Sequence, residues 1–296
     1  LTYFENLDKA TVTAALKKAG AFILKQKSLA DGMVLIEYNK AVIDSVAALP
    51  FIISMEMQLL QDQLLNDTSR AAHAVTGLNA QAGKNLNGKG VTIGVGDDAD
   101  ISTHIDFAGR LISRTPGPPS NHGTHTSGTS AGAGIINPKY RGMASKATII
   151  NQYFSDIIFN AAAYITDYNM VATNNSYHTA NNGCSGERVY NSLSRYADAQ
   201  MYNNDKLQHV FASGNDGAQT CSPYPTSFGT VKSGWQCSKN ILTVGALNVT
   251  NNTIASFSGR GPTQDGRIKP EITADGVSVR SSISFNRYGY NSFKFI

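Results

Sequence analysis

Hydrophobic and polar positions divide the chain into two textures. Up to about residue 57 the apolar positions form short helical and alternating patterns. Asp8 can cap a helix through Ala10–Lys18, with Ala14, Leu16 and Ala19 on its inner face and Gly20 as its stop. Within Lys27–Tyr38 the run from Gly32 reads as a strand after a turn, Ala41–Leu49 as a second short helix and Phe51–Met57 as another strand. With a clipped first strand at Leu1–Phe4 and one near Ala21–Lys25, the order is βαββαβ, a small α+β unit of ferredoxin-like type over residues 1–57. Residues 58–90 are polar and rich in Asn and Gln, with one helical stretch around Ser69–Leu78, and read as a linker and entry segment. From Val91 the pattern changes. Short β-branched runs at Val91–Val95, Ala147–Gln152, Met170–Asn174, His209–Ala212 and Ile241–Val244 alternate with helix-length segments. Runs that are apolar throughout belong to strands buried on both faces, so residues 91–296 are expected to form an α/β domain around a mostly parallel sheet.

Composition changes this picture little. Of the 296 residues 41% are hydrophobic and 16% charged, which suits a chain with a substantial core. The net charge of +4, without a Lys/Arg run, gives no basis for a nucleic-acid partner. No apolar window approaches the roughly 18 residues of a membrane span. Residue 1 is Leu, so a fragment or a processed chain is expected. Of the three cysteines, Cys221 and Cys237 flank a loop-like stretch, and a disulfide between them would leave Cys184 over. None of the three lies in a recognisable Cys/His setting.

In parallel sheets the reactive groups collect at the carboxyl ends of strands. Asp97 ends the run from Val91, His122 opens a stretch of small residues suited to a tightly packed helix, and Asn215 follows another strand between Ser-Gly and Asp-Gly. An acid can orient a histidine, the histidine can take a proton from a nucleophile, and a side-chain amide can stabilise an oxyanion. The roles occur in the order Asp, His, Asn.

These segments carry a resemblance. GVGDDADISTHIDF (94–107), SNHGTHTSGT (120–129), VATNNSYH (171–178), FASGNDG (211–217) and ASFSGRGPTQDGRIKPEITADG (255–276) resemble, in order and spacing, the motifs of the subtilisin-like serine peptidases. The resemblance implies a subtilisin-like three-layer fold and an endopeptidase working through an Asp/His/Ser triad. Asp97 would be the acid, His122 the base and Asn215 the oxyanion donor. Ser176 and Tyr177 would lie along the strand that pairs with the substrate backbone, and Arg141 and Gly142 would shape the region after the His helix. The N-terminal unit would be a propeptide that assists folding, blocks the cleft and is cleaved between about residues 57 and 70. The expected partners are a polypeptide substrate and this propeptide, on a monomer that is secreted or at the cell surface. No cofactor is required, and a structural calcium ion stays open.

The chain also departs from the family. The Gly-Thr-Ser-Met-Ala motif, due near Ser292, is absent: the sequence runs on as Phe-Lys-Phe-Ile. A truncation or frame error there is expected to remove the serine and its helix, to leave a hole in the core and to render the 296 residues inactive. The alternative is a non-catalytic protein that binds peptides in the same cleft. Gly128-Thr-Ser130-Ala-Gly mimics the missing motif, but Ser130 follows His122 by eight residues in one expected helix, about 12 Å along its axis. Asp98 and Ala99 stand where the family has Thr and Gly. Asp98 is expected to be a solvated turn residue, and Ala99 to tighten the turn. His178 replaces a customary Gly and either narrows the cleft or points to solvent. His122 and His125 lack the spacing and Glu of a zinc hydrolase. His125 is expected to pack near the base, and His73, His104 and His209 to be structural. The basic residues of Gly259–Pro270 are expected to be solvated.

Overall fold

The computed structural model describes residues 1–4, 7–23, 34, 36–37, 39–55, 66–80, 83–98, 100–114, 117–178 and 183–293. The chain divides into two units, Leu1–Gln63 and Leu64–Ile296. In the first, Asp8 accepts from the amides of Ala10 and Thr11 at 2.9 and 3.0 Å and starts α1 (Lys9–Lys18). Gly20, at φ 92°, follows its end. Strands β1 (Thr2–Tyr3), β2 (Phe22–Ile23), β3 (Ile36–Glu37) and β4 (Ile52–Ser54), with α2 (Ile43–Ala47), complete the order βαββαβ. β1 pairs with β4 and β2 with β3, both antiparallel. Of the inner face expected for α1, Leu16 is buried and Ala19 packs beside it, but Val12 takes the place of Ala14, which falls on the solvent side of the turn. Most of the strand expected over Lys27–Tyr38 lies outside the described residues.

The second unit opens with α3 (Asn66–Ala72) and α4 (Val75–Asn79). The single helix expected over 69–78 breaks at Ala74, which takes a left-handed conformation at φ 57°. Among the described residues ten strands follow: β5 (Thr92–Asp97), β6 (Leu111–Ser113), β7 (Thr148–Tyr153), β8 (Met170–Asn175), β9 (Gln208–Ala212), β10 (Leu242–Asn248), β11 (Thr253–Ile254), β12 (Ile272–Asp275), β13 (Val279–Ser282) and β14 (Tyr290–Phe293). The main sheet runs β11-β10-β9-β8-β5-β7-β6, with β12 also on β10. Every pairing in it is parallel except β10 with β11. All five expected parallel strands are present.

Both faces are covered, as apolar parallel strands require. Ile149 joins Val95, Ile101, Phe107 and Ala131 on one side, and its neighbour Ile150 joins Ile157, Ile158, Phe211 and Trp235 on the other. Successive side chains of a strand point to opposite faces, so one strand feeds both cores. Each such buried side chain contributes about 1.5–3 kcal/mol. Gly96 has no room for a side chain: a Cβ there would lie 2.6 Å from the Phe154 carbonyl oxygen. It lets the last turn of chain after β7 close over the end of β5.

Two expectations fail. The disulfide joins Cys184 to Cys221, with Cα atoms 5.2 Å apart, and Cys237 is the free thiol. Cys237 sits on the buried turn Gly234–Cys237 with its Sγ on the Lys232 carbonyl, while the intervening loop carries Cys221 towards the 183–186 turn. The basic residues near 260–270 are not all solvated. Lys269 is buried, 2.5 Å from Glu271 and 3.2 Å from Thr243 Oγ1, because an ammonium excluded from water needs a counter-charge.

Candidate active site

The end of β5 and the start of the next long helix, α5 (Asn121–Ala131), meet at the site. Asp97, the last residue of β5, is fully buried. Its Oδ1 accepts from the Asp98 amide at 2.8 Å and lies 2.7 Å from His122 Nδ1, and its Oδ2 accepts from Thr126 Oγ1 at 2.8 Å. A carboxylate so enclosed has one free direction of response, which is to orient the imidazole. His122 keeps 43% of its side chain accessible, on the side away from Asp97. Its pKa is raised, first by the hydrogen bond it donates to Asp97, against the opposing effect of burial. With Nδ1–H held by the carboxylate, Nε2 is the atom that can accept a proton.

Asp98 is no solvated turn residue. Its Oδ2 accepts from Ser120 Oγ at 2.9 Å and its Oδ1 from the Gly123 amide at 3.1 Å, while Ser120 Oγ accepts from the His122 amide at 3.3 Å. A carboxylate at a helix N-terminus satisfies donors that the helix leaves unpaired and complements its dipole. The adjacent aspartates therefore divide the work, one holding the His122 ring and the other the first turn of the helix under it. Ala99 lies outside the described residues. Asp97, Asp98 and His122 bring possible ligand atoms within 4.8 Å of one another.

Thr126, which no motif singles out, is the third donor to the acid. It follows His122 by one helical turn, and the i, i+4 spacing puts both on one face. Ser130 lies two turns further along α5 than His122. His125 is turned away: its Nε2 lies 3.0 Å from the Val279 carbonyl, and burial lowers its pKa to about 4. Gly142 closes the far end of α5, its amide donating to the Gly132 carbonyl at 2.9 Å, and the Arg141 amide bonds to Pro138. His73 accepts from the Asp275 amide, and His104 caps the short turn Ile105–Phe107. His209 bridges Thr173 Oγ1 and Gln200 Oε1 at 2.8 and 2.9 Å.

Across the sheet, Gly96 is in register with Asn175 of β8, and Asn175 with Phe211 of β9. Asn215, four residues beyond Phe211, thus emerges from the same edge as Asp97, two strands over, or about 10 Å away at ordinary strand spacing. It is exposed. β8 has neighbours on both sides up to Asn175, so only the chain from Ser176 onward is in a position to pair with a further strand. Ser176 lines a cavity of about 280 Å³ with Asn174, Phe211, Val244 and Asp275. Tyr177 is held in place: its hydroxyl bonds to Asn175 Oδ1 at 3.3 Å, its ring packs on Phe154 and Phe211, and its carbonyl accepts from Gln236. His178 is exposed.

Comparison with known proteins gives the family and the fold. Residues 88–294 match the model of the subtilase family, Peptidase_S8. The serine protease AprX of Bacillus subtilis (strain 168) is 30% identical over 257 residues, covering 76% of this chain and 54% of that protein. Subtilisin-like protease 1 of Pseudogymnoascus destructans is 31% identical over 264 residues, covering 83% of this chain and 60% of its own. The chain thus spans somewhat more than half the length of these curated relatives. The Clostridium perfringens CspB protease superposes with a TM-score of 0.60 at 16% identity, over 76% of this chain and 83% of that one. The prenylagaramide maturation protease PagA does so at 0.55 and 16%, over 76% and 73%. Both are alike in fold.

Proposed function

Given that this chain belongs to the subtilase family, we propose that it is the catalytic core of a serine endopeptidase, preceded by its propeptide. His122 removes the proton from a serine hydroxyl and the serine oxygen attacks the peptide carbonyl; the C–N bond then breaks, the amine leaving with the proton returned by His122, and water deprotonated by the same base hydrolyses the acyl-enzyme to free the acid and the serine. Asp97 holds the imidazole in its Nδ1–H tautomer and stabilises the imidazolium that forms. Asn215 donates its side-chain amide to the oxyanion, and the chain at Ser176 and Tyr177 receives the substrate backbone. The observation that carries this reading is the 2.7 Å contact between His122 Nδ1 and an Asp97 carboxylate that is fully buried. The Gly-Thr-Ser-Met-Ala motif that would carry the serine does not occur among these 296 residues. Residues 1–57 act as the propeptide, and the protease is secreted. The Cys184–Cys221 disulfide supports an oxidising compartment. Among the described residues no helix is long and apolar enough to cross a membrane.

The test is labelling by a fluorophosphonate probe. The full-length protein is expected to react and its His122→Ala variant not to, the change costing on the order of 10⁶ in kcat, a magnitude taken from subtilisin, itself a member of this family. Equal labelling of the variant would remove His122 from the mechanism. No labelling of the full-length protein would favour a peptide-binding role without chemistry.

A further inference from the structure

The residue after Asn215 carries a carboxylate that is tied into the protein. Asp216 Oδ2 is ion-paired with Lys232 Nζ, whose other partner is Glu187 Oε1 at 2.8 Å. Glu187 is fully buried and Lys232 is only 4% exposed. Lys232 reaches the same turn twice more. Its amide donates to the Ser213 carbonyl at 3.1 Å, and its stem lies against Gly214, where a Cβ would come within 2.5 Å of Lys232 Cγ. Gly214 stands at φ 109°, a conformation closed to ordinary side chains, so the turn is shaped to receive this lysine. Lys232 thus grips residues 213, 214 and 216, the first through its backbone amide and the other two through its side chain, on both sides of the exposed Asn215.

The grip is itself anchored. Glu187 belongs to a segment laced to the stretch 231–234: Arg188 N bonds to Val231 O at 3.1 Å, Val189 N to Ser233 Oγ at 2.8 Å and Gly234 N to Val189 O at 3.1 Å. The Cys184–Cys221 disulfide closes the other end. Burial pulls the Lys232 ammonium down, but Asp216 and Glu187 together outweigh it and its pKa ends above the ordinary value. The cation therefore persists throughout the pH range in which a histidine base works.

We propose that Lys232 is a positioning residue for the oxyanion donor, spanning Glu187 and Asp216 to fix the turn that aims the Asn215 amide. This rests on the role given to Asn215 above. A donor exposed on a loop stabilises an oxyanion only if its position is set before the charge appears, and small misplacements are costly.

The test uses the full-length protein and a peptide substrate without charged residues. Asp216→Ala cuts one arm of the grip and leaves the buried Lys232–Glu187 pair, and the fold, intact. It is expected to lower kcat about 10-fold with KM changed less than about twofold. In an Asn215→Ala background the same change should cost less than about twofold, since the donor it served is gone. Lys232→Met combined with Glu187→Gln removes the grip without stranding a buried charge and should behave alike. Amide hydrogen exchange at 214–217 should quicken in both variants, with that of β5 unchanged. Equal losses in the two backgrounds, or unaltered exchange at 214–217, would overturn the proposal. An unmutated protein that neither cleaves peptide nor reacts with a fluorophosphonate would instead refute the protease reading, while the exchange measurement still decides whether Lys232 holds the turn.

Discussion

The two sides of the candidate site are built differently. Asp97 and His122, the proposed acid and base, stand at the junction of one strand end and one helix start, 25 residues apart in sequence, and their supports (Asp98, Ser120, Thr126) lie within the same two motifs. Asn215, the proposed amide donor, stands exposed on a turn whose supports come from elsewhere: Lys232 from beyond the next loop, Glu187 from before the preceding strand, and a disulfide that ties the two regions. A group that must transfer protons can be held by regular structure, whose ends already aim polar groups outward. A donor that must meet charge on the substrate is placed by loops, and loops need long-range pins. The base side should therefore tolerate loosening elsewhere in the molecule, and the donor side should not.

The sharpest break in this contrast is Asp97→Asn. It preserves the shape of the base side while reversing the tautomer, and is expected to lower kcat of the full-length protein by on the order of 10⁴. The variant should keep its folding stability better than its activity, and the His122 pKa, followed by NMR, should fall because its largest raising contribution is the bond to Asp97. An unshifted His122 titration would mean that the acid does not control the base.

On the donor side, replacing Cys184 and Cys221 together by Ser opens a loop of sequence separation 37. The chain-entropy account gives a loss of about 4 kcal/mol, read as a lower urea midpoint. Hydrogen exchange should rise at 213–217 and 184–189 but not in the first turn of α5. Uniform loosening of both sides would erase the distinction drawn here.

A smaller effect reaches both sides through pH. Each has one buried neutral histidine, His125 in the base helix and His209 in the strand leading to Asn215, and burial lowers each pKa to about 4. Below the unfolded value of about 6.5 the unfolded chain takes up protons that the folded one refuses. The stability held above pH ~6.5 is therefore lost as pH falls towards 4. His209→Gln should flatten that decline, and an unchanged acid transition would show that His209 does not titrate on unfolding.

What could be read from the residues alone is what depends on local pattern. Apolar runs located all five parallel strands, because a strand buried on both faces has no polar alternation to confuse it. The short strands β6, β11, β12, β13 and β14 escaped, since runs of two to four residues leave no period to detect. The acid and base were legible because strand ends and helix starts carry their own signatures, and Thr126 could have been found from the i, i+4 spacing. The disulfide partner, the burial of Lys269 and the second task of Asp98 were not legible, because they depend on which distant segments fold together. An isolated Lys or Glu reads as solvated until tertiary structure removes its water, and only then must it find a counter-charge. Sequence by itself thus determined the family-like motifs, the sheet and the pair Asp97–His122. Tertiary structure alone decided what holds the turn at Asn215, because the Glu187–Lys232–Asp216 contacts exist only once burial has made them necessary.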